Sequence, residues 1–275
     1  MLNKIYKEIS QTLKDDFEAR LIIEERTSYE LSDIIINPDA IISDAQYSNI
    51  LSDVEQRIAG KPLSRIYGQR EFWGLEFQIS EDTLDPRPDT ELIIELALKR
   101  FSKDAPLRIL DLGTGSGCIL ISLLSEFGES IGYGVDLSFG AVKMAQLNAA
   151  KNNVNNRASF ICGSWVDAIS GKFDLIVSNP PYISNQIIPT LSKEVRNHDP
   201  ILSLDGGVDG LEPYKIIFPK LKNLLHDGGI ALFEIGYDQE KDIMRLAEES
   251  RFMQRCVHLD LAGNPRVVDI SSGDK

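Results

Sequence analysis

The sequence is poor in cysteine and histidine, with three of each among 275 residues. Cys118, Cys162 and Cys256 are far apart and odd in number, and none belongs to a C-x-x-C pair. A disulfide framework or a zinc site would need closely spaced cysteines, or cysteines combined with histidines. The histidines are scattered without i, i+4 spacing. We therefore expect no metal site, and a reducing, cytoplasmic setting fits best.

Long apolar runs are also absent. The N-terminal segment MLNKIYKEIS lacks the apolar core of a signal peptide, and no run approaches the roughly 20 apolar residues of a membrane span. Basic residues are few, because 29 Lys and Arg stand against 42 Asp and Glu, a net charge of −13. An acidic chain repels a phosphate backbone. We expect no membrane partner, no stable nucleic-acid partner, and a monomer.

The first 70 residues carry apolar side chains at helical spacing, as at Ile5 and Ile9. Ser43 followed by Gln46 is typical of a capping box, in which the two side chains satisfy backbone N–H groups at the start of a helix. The pattern predicts a small helical bundle domain over residues 1–70.

The segment REFWGLEFQIS has aromatic and aliphatic residues on both sides of Gly74, which is typical of two short strands around a turn. It predicts a linking β-hairpin over residues 71–84. Over residues 85–275, apolar runs alternate with amphipathic helices, which favours an α/β fold with a doubly wound, mainly parallel sheet. Strands are predicted at 107–112, 131–136, 158–162, 173–178, 229–235 and 265–270, and helices at 89–101, 117–127, 138–152, 212–226 and 238–248.

The segment DLGTGSG follows the first predicted parallel strand. Gly113, Gly115 and Gly117 let the backbone approach a ligand closely, and the next helix presents its N-terminus there. A dinucleotide fingerprint, G-x-G-x-x-G, would need glycine or alanine where Cys118 stands. The pattern G-x-G-x-G behind Asp111 instead favours S-adenosylmethionine, which has no pyrophosphate.

Two carboxylates fit that cofactor. Asp111 is expected to reach the methionine ammonium directly or through water, and Asp136, at the end of the next predicted strand, is placed to accept from both ribose hydroxyls. Negative side chains also suit a sulfonium ligand. A glycine loop alone could be a tight strand-to-helix turn, but strand, loop, helix and acid together favour a cofactor site.

The segment FDLIVSNPPY places Asn179 at the carboxyl end of a predicted strand, the edge where ligands of such sheets bind. Pro180 and Pro181 give a stiff segment that offers carbonyl oxygens without N–H donors. A conjugated NH₂ group is a poor nucleophile. Its two hydrogens could be held by the Asn179 side-chain oxygen and the Pro180 carbonyl, while Tyr182 packs against its plane. The pattern predicts methyl transfer to a planar NH₂ group, with Asn179, Pro180 and Tyr182 catalytic.

These residues leave several alternatives open. The acceptor could be an adenine or cytosine amine in DNA or RNA, or the side-chain amide of glutamine. The prolines could simply end a strand, and the protein could bind a nucleotide without catalysis. An oxidoreductase is the weakest alternative, because Cys118 breaks the dinucleotide fingerprint and the Asn-Pro-Pro-Tyr corner would have no role.

Further segments stand in a familiar order: FWGLEF, DPRPDTE, ILDLGTGSGCI, GVDLS, GSW, SNPPYI, LDGGVDGLEPY, FEIGYDQ and DLAGNPRVV. From about residue 57 to 270 the chain resembles the HemK/PrmC family of peptide chain release factor glutamine methyltransferases. The resemblance implies a class I, Rossmann-like methyltransferase with a seven-stranded sheet and an N-terminal helical bundle. It also implies methylation of the glutamine in the Gly-Gly-Gln motif of release factors. A ribosomal protein or a nucleic acid remains an alternative substrate.

The resemblance also assigns roles to individual residues. It implies that the loop Gly113–Gly117, with Thr114 and Ser116, holds the methionine part of the cofactor, Asp136 the ribose and Trp165 the adenine. Asn179 would be shared between cofactor and substrate. The substrate amide would be held by Asn179, Pro180, Pro181 and Tyr182.

The resemblance further implies that Phe72 and residues 87–91 wall the cleft. The sequence departs from the family there, with Asp85 where an apolar residue is usual and Asp89 where glutamate is usual.

Overall fold

The computed structural model describes residues 1–167 and 169–271. Contacts between residues divide the chain into two compact units, Met1–Gly68 and a second that begins at Gln69. In the described part of the chain, no helix is both long and apolar enough to cross a membrane.

The first unit is helical, and its helices pack around a core of aliphatic residues that includes Leu2, Ile22 and Ile50. The capping box at Ser43 is confirmed, because the backbone N–H of Gln46 donates to Ser43 Oγ at 3.2 Å and its side chain accepts from the Ser43 N–H at 3.0 Å. The helices are α1 (Leu2–Leu13), α2 (Asp16–Arg26), α3 (Leu31–Ile36), α4 (Asp44–Ile58) and α5 (Leu63–Tyr67).

The second unit opens with an antiparallel hairpin of β1 (Gln69–Phe72) and β2 (Leu75–Gln78). Trp73 and Gly74 turn the chain with φ of 54° and 67°. The left-handed conformation of Trp73 is held by polar contacts, because its backbone N–H donates to Glu91 at 2.9 Å and its indole N–H donates to Glu126 at 2.8 Å. These contacts tie the hairpin to the rest of its unit.

The remaining described strands form a seven-stranded sheet in the order β5-β4-β3-β6-β7-β9-β8. Its pairs are parallel except those made by β9, which runs antiparallel to β7 and β8. The strands are β3 (Arg108–Leu112), β4 (Ile131–Asp136), β5 (Ala158–Cys162), β6 (Phe173–Ser178), β7 (Leu225–Glu234), β8 (Gln254–Leu259) and β9 (Pro265–Ser271). The predicted α/β fold, with its mainly parallel seven-stranded sheet, is confirmed.

Helices cover both faces of this sheet. They are α6 (Glu91–Arg100), α7 (Cys118–Glu126), α8 (Phe139–Lys151), α10 (Glu212–Leu224) and α11 (Glu240–Glu249), and a 3-10 turn, Pro88–Thr90, precedes α6. A further short helix, α9 (Lys193–His198), buries none of its residues. Because both faces of the sheet are buried, its central strands consist of nearly continuous runs of apolar residues. Along β3, Ile109 packs into the core cluster that contains the hairpin, whereas Leu110 and Leu112 pack into the one on the opposite face.

Strand β3 lies between β4 and β6, so the chain leaves it on one side and returns on the other. In an open α/β sheet, such a reversal leaves a crevice beyond the carboxyl ends of the strands, where ligands bind. The glycine loop follows β3, and the Asn-Pro-Pro-Tyr corner follows β6. The topology therefore brings the two predicted motifs to one crevice.

Candidate active site

A cavity of about 430 Å³ opens at this edge of the sheet. It is lined by most of the residues singled out from the sequence: Gly113, Thr114, Gly115, Ser116, Asp136, Trp165, Asn179 and Pro181. Asp111, Gly117, Pro180 and Tyr182 are not among its described lining residues and support it from neighbouring positions. Thr90 and Arg87, from the segment expected to wall the cleft, also line it.

The glycine loop has left-handed backbone conformations and packs closely against its neighbours. Gly113 has φ of 73°, and the N–H groups of Gly113 and Thr114 donate to the Val135 carbonyl at 2.8 and 2.9 Å. Gly117 has φ of 82°, and a Cβ atom there would lie 2.9 Å from the Ile121 side chain. An alanine at Gly117 would therefore be strained in its backbone and would push against helix α7.

Asp136 is fixed by the glycine loop and by the start of the next helix. One carboxylate oxygen accepts from the Gly115 N–H and the other from the Ser138 N–H, both at 2.8 Å. Burial raises the pKa of Asp136, and these backbone donors oppose the rise. Each carboxylate oxygen has a further lone pair. Asp136 can therefore accept from a vicinal diol in the cavity while its orientation is held by backbone.

Asp111 lies fully buried beneath the loop. One of its oxygens accepts from the Thr114 hydroxyl at 2.6 Å, and the other has no hydrogen-bond partner. Burial raises the pKa of Asp111 to about 7, and the Thr114 bond only partly offsets this. A buried acceptor without a donor is costly unless a ligand satisfies it. Together with Asp136, it makes this end of the cavity suited to a cationic, donor-rich ligand such as S-adenosylmethionine.

Trp165 adopts a left-handed conformation, with φ of 45°. The edge of its ring lies 3.4 Å from the place a Cβ atom would occupy on Gly113. Strain of this kind in a large side chain persists only where the surrounding structure enforces it, and it tends to occur at ligand sites. The ring forms a flat apolar wall beside the glycine loop.

The Asn-Pro-Pro-Tyr corner is held by buried polar groups. The Asn179 side-chain NH₂ donates to the Thr90 hydroxyl at 3.1 Å, and Thr90 donates to Glu234 at 2.6 Å. The Tyr182 hydroxyl donates to the other oxygen of Glu234 at 3.3 Å. The Gln239 side chain donates to the Tyr182 carbonyl at 2.9 Å. Both ends of Tyr182 are thus tied, which fixes its ring.

The sequence alone predicts no role for Glu234 or Gln239, although both lie in the segment FEIGYDQ. The glycines of LDGGVDGLEPY also support the corner, because a Cβ atom on Gly206 would lie 2.8 Å from the Pro181 carbonyl oxygen and one on Gly210 would lie 2.3 Å from that of Tyr182. In the sequence, Glu234 is distinguished only as an acidic residue at the end of an apolar run.

The two departures from the family pattern each face an arginine. Asp85 is buried, with a carboxylate oxygen 3.7 Å from Arg70 Nε, and an oxygen of Asp89 lies 3.4 Å from Arg266 Nη2. The unusual acids therefore have local charge partners in the wall of the cleft.

Comparison with known proteins gives two matching family models. A PrmC N-terminal domain matches residues 1–68, and a methyltransferase small domain matches residues 80–195. The release factor glutamine methyltransferase of Agrobacterium fabrum is 41% identical over 91% of this chain and 88% of its own. That of Bradyrhizobium diazoefficiens is 41% identical over 94% of this chain and 89% of its own.

Among solved structures, the hMettl16 catalytic domain in complex with MAT2A 3'UTR hairpin 6 has a TM-score of 0.60 at 16% identity. It covers 85% of this chain and 84% of its own. At this identity the likeness shows the fold alone. Taken with the two relatives and the family models, it agrees with the expected methyltransferase architecture. The chain belongs to the release factor glutamine methyltransferase family, also called HemK/PrmC.

Proposed function

We propose that this methyltransferase transfers the methyl group of S-adenosylmethionine to the side-chain amide nitrogen of the glutamine in the Gly-Gly-Gln motif of bacterial release factors. One observation carries the proposal: a single cavity is lined both by the glycine loop with Asp136 and by Asn179 and Pro181. A site for a cationic cofactor thus adjoins a stiff corner rich in acceptors. The names of the two relatives support the choice of glutamine over the nucleic-acid amines.

The proposed chemistry follows from the weakness of an amide nucleophile. S-adenosylmethionine supplies an activated methyl group on a sulfonium. The Asn179 side-chain oxygen and the Pro180 carbonyl accept the two amide hydrogens and aim the nitrogen, while the Tyr182 ring holds the amide plane. Such alignment can lower a barrier by roughly 7 to 11 kcal/mol in favourable cases. The nitrogen loses its proton to water after methylation, when it carries positive charge.

The cofactor roles are proposed on the same basis. The loop Gly113–Gly117 holds the methionine part, and Asp111 balances its ammonium directly or through water. Asp136 accepts from the ribose hydroxyls, and the flat wall of Trp165 stacks on the adenine. Asn179 serves both cofactor and substrate. We propose that the protein acts in the cytoplasm as a monomer. We also propose that it forms no stable complex with nucleic acid, because its net charge of −13 repels a phosphate backbone.

The test is transfer of labelled methyl from S-adenosylmethionine to a purified bacterial release factor, followed by peptide mass mapping. The same factor with its Gly-Gly-Gln glutamine changed to alanine, a ribosomal protein mixture and duplex DNA run in parallel. Label on that glutamine alone is the expected result. Label on DNA or on a ribosomal protein would refute the proposed substrate, and cofactor binding without transfer to any of them would favour a non-catalytic protein.

The same assay addresses the helical domain, which we propose docks the release factor, because one exposed glutamine offers too little surface for specificity. Its described surface exposes the apolar side chains of Ile36 and Ile41, which are 74% and 82% accessible. Changing both to serine is expected to raise KM for the release factor several-fold while kcat is kept. An unchanged KM would remove this patch from the docking surface.

Replacing Asp111 by asparagine is expected to stabilise the protein without cofactor while weakening cofactor binding by about tenfold. The usual pKa of this carboxyl is 3.8, and burial raises it to about 7, so the folded state holds the proton more tightly than the unfolded state. Its contribution to stability is full below about pH 4 and is lost progressively as the pH rises from there to about 7. The variant should therefore gain about 2 to 4 °C in Tm at pH 8 and less at pH 6.

Thermal melts at both pH values, with and without S-adenosylmethionine, measure both effects. An equal gain at pH 6 and pH 8 would show that charge burial is not the cause. An unchanged cofactor affinity would remove Asp111 from the proposed binding set.

A further inference from the structure

Glu234 ends strand β7 inside the protein, with only 2% of its surface accessible. It lies between two parts of the site, because one carboxylate oxygen accepts from Thr90 at 2.6 Å and the other from Tyr182 at 3.3 Å. Thr90 is equally buried and in turn accepts from the Asn179 side chain at 3.1 Å. A continuous chain of hydrogen bonds thus leads from Glu234 through Thr90 to Asn179.

The number of hydrogens in this chain fixes its direction. An ionised carboxylate can only accept, and a threonine hydroxyl has one hydrogen to donate. Once Thr90 gives that hydrogen to Glu234, its oxygen can only accept from a neighbour. Asn179 must then offer its NH₂ group to Thr90, which turns the carbonyl end of the same amide away from it.

We infer that Glu234 is a positioning residue that, through Thr90, keeps the carbonyl oxygen of the Asn179 side chain available to the substrate as an acceptor. The inference rests on the proposed function, in which that oxygen accepts a hydrogen of the glutamine amide. With the Asn179 amide reversed, its NH₂ group would face the NH₂ group of the substrate, and two donors cannot bind each other. The direction of the buried chain therefore decides whether the corner can hold its substrate.

Protonation of Glu234 would release this constraint. A neutral carboxyl can donate to Thr90, and the Thr90 hydroxyl is then free to donate to the carbonyl oxygen of Asn179. The reversed amide becomes as well satisfied as the productive one. Only the ionised form of Glu234 enforces the competent direction, so activity should fall as the pH drops through its pKa.

The surroundings of Glu234 place this transition near neutral pH. Burial raises its pKa to about 7, while Thr90, Arg266 and Tyr182 oppose the rise and Asp89 adds to it. Arg266 on β9 is shared with Asp260, at 3.0 Å, and with Asp89, at 3.4 Å. The other titratable groups that face Glu234 are Tyr214, which donates to its backbone carbonyl at 2.7 Å, and Cys118, whose own pKa is raised mainly by burial.

The kinetic test compares Thr90→Val, which keeps the shape but neither donates nor accepts, with Thr90→Ser, which keeps the hydroxyl. For Thr90→Val we expect kcat on the release factor to fall about 10- to 100-fold, with Kd for S-adenosylmethionine within threefold of the wild type. Thr90→Ser should stay within threefold in kcat. The wild-type kcat should fall below pH 7, and Thr90→Val should lose that dependence.

An equal fall in kcat in Thr90→Ser and Thr90→Val would overturn the inference, and so would an unchanged kcat and pH profile in Thr90→Val. A second measurement needs no turnover: the side-chain NH₂ signals of Asn179 in the ¹⁵N spectrum of the wild-type protein, assigned with Asn179→Ala. They should shift with a midpoint near pH 7, and the shift should vanish in Glu234→Gln. Asn179 signals that do not respond to pH would also overturn the inference. If these signals shift with pH but the wild-type protein does not methylate the release factor, the result counts only against the proposed substrate.

Discussion

Replacing Asn179 by alanine is expected to lower kcat for methyl transfer by about 100- to 1000-fold, the loss typical when one preorganised hydrogen-bonding group of an active site is removed. The variant keeps the Pro180 carbonyl, so one acceptor for the amide nitrogen remains. It loses the second acceptor, which restricts the rotation of the amide and so aims the nitrogen at the methyl group. It also leaves the buried Thr90 hydroxyl without its donor.

Single-turnover kinetics with a saturating release factor measure this loss directly. Asn185→Ala, at an exposed asparagine six positions further along the same segment, is the matched control and should keep the wild-type rate. Cofactor affinity of the Asn179 variant should fall by less than tenfold, because the glycine loop and Asp136 are intact. A variant within threefold of the wild-type rate would show that the Pro180 carbonyl alone aligns the substrate.

Asn179→Asp separates shape from hydrogen-bonding direction. The side chain keeps an oxygen and nearly the same volume, but it has no NH₂ group to offer to Thr90. It also adds a negative charge close to the buried Glu234. We expect a loss as large as that of Asn179→Ala, and near-normal activity would mean that any oxygen at this position suffices.

Much of the second unit could be predicted from the sequence because its strands are buried on both faces. The predicted strands at 131–136, 158–162 and 173–178 coincide with β4, β5 and β6. Apolar runs of that length, separated by amphipathic helices, leave little choice of fold. The crevice followed from the same pattern, because parallel strands end at one edge.

The sequence pattern does not predict strand β8 (Gln254–Leu259). It lies at the edge of the sheet, its residues are exposed or half-buried, and its segment QRCVHL has charged and polar residues between apolar ones. An edge strand that pairs on one side needs no apolar run. Helix α9 (Lys193–His198) is not predicted either, because a helix that buries none of its residues needs no apolar face.

The buried residues that support the site also could not be predicted from local sequence patterns. Thr90 and Glu234 are 144 positions apart, and only the fold brings them together. Nothing in the spacing of residues near Trp165 indicates its left-handed backbone. The sequence therefore predicts which side chains face the ligand more readily than which buried groups fix their orientation.

The buried acidic groups around the cavity destabilise the folded protein, and a suitable bound ligand can offset that destabilisation. Burial raises the pKa of Asp111, Asp136 and Glu234, which means that the protein holds several carboxyls where water solvates them poorly. Perturbed pKa values cluster at functional sites because burial serves the chemistry there. A cationic cofactor with ribose hydroxyls would supply both a positive charge and donors, so binding should depend steeply on these acids.

Asp136 should show that dependence most clearly. Replacing it by alanine is expected to weaken S-adenosylmethionine binding by 100-fold or more, since hydrogen bonds to a charged acceptor contribute about 1.5 to 3 kcal/mol each and two ribose hydroxyls lose theirs. The variant also removes the acceptor that holds the Gly115 N–H. Asp136→Asn, which keeps the shape and one acceptor oxygen, should lose less.

Titration calorimetry of both variants gives the Kd values, and Asp227→Asn is the control. Asp227 is exposed near the start of β7, at the end of the parallel sheet opposite the cavity, so its loss lowers the net negative charge equally without touching the site. If Asp227→Asn weakens binding as much as Asp136→Asn, the effect is one of overall charge. If only the Asp136 variants lose affinity, and alanine more than asparagine, the carboxylate binds the cofactor through its geometry, as the backbone donors to both of its oxygens imply.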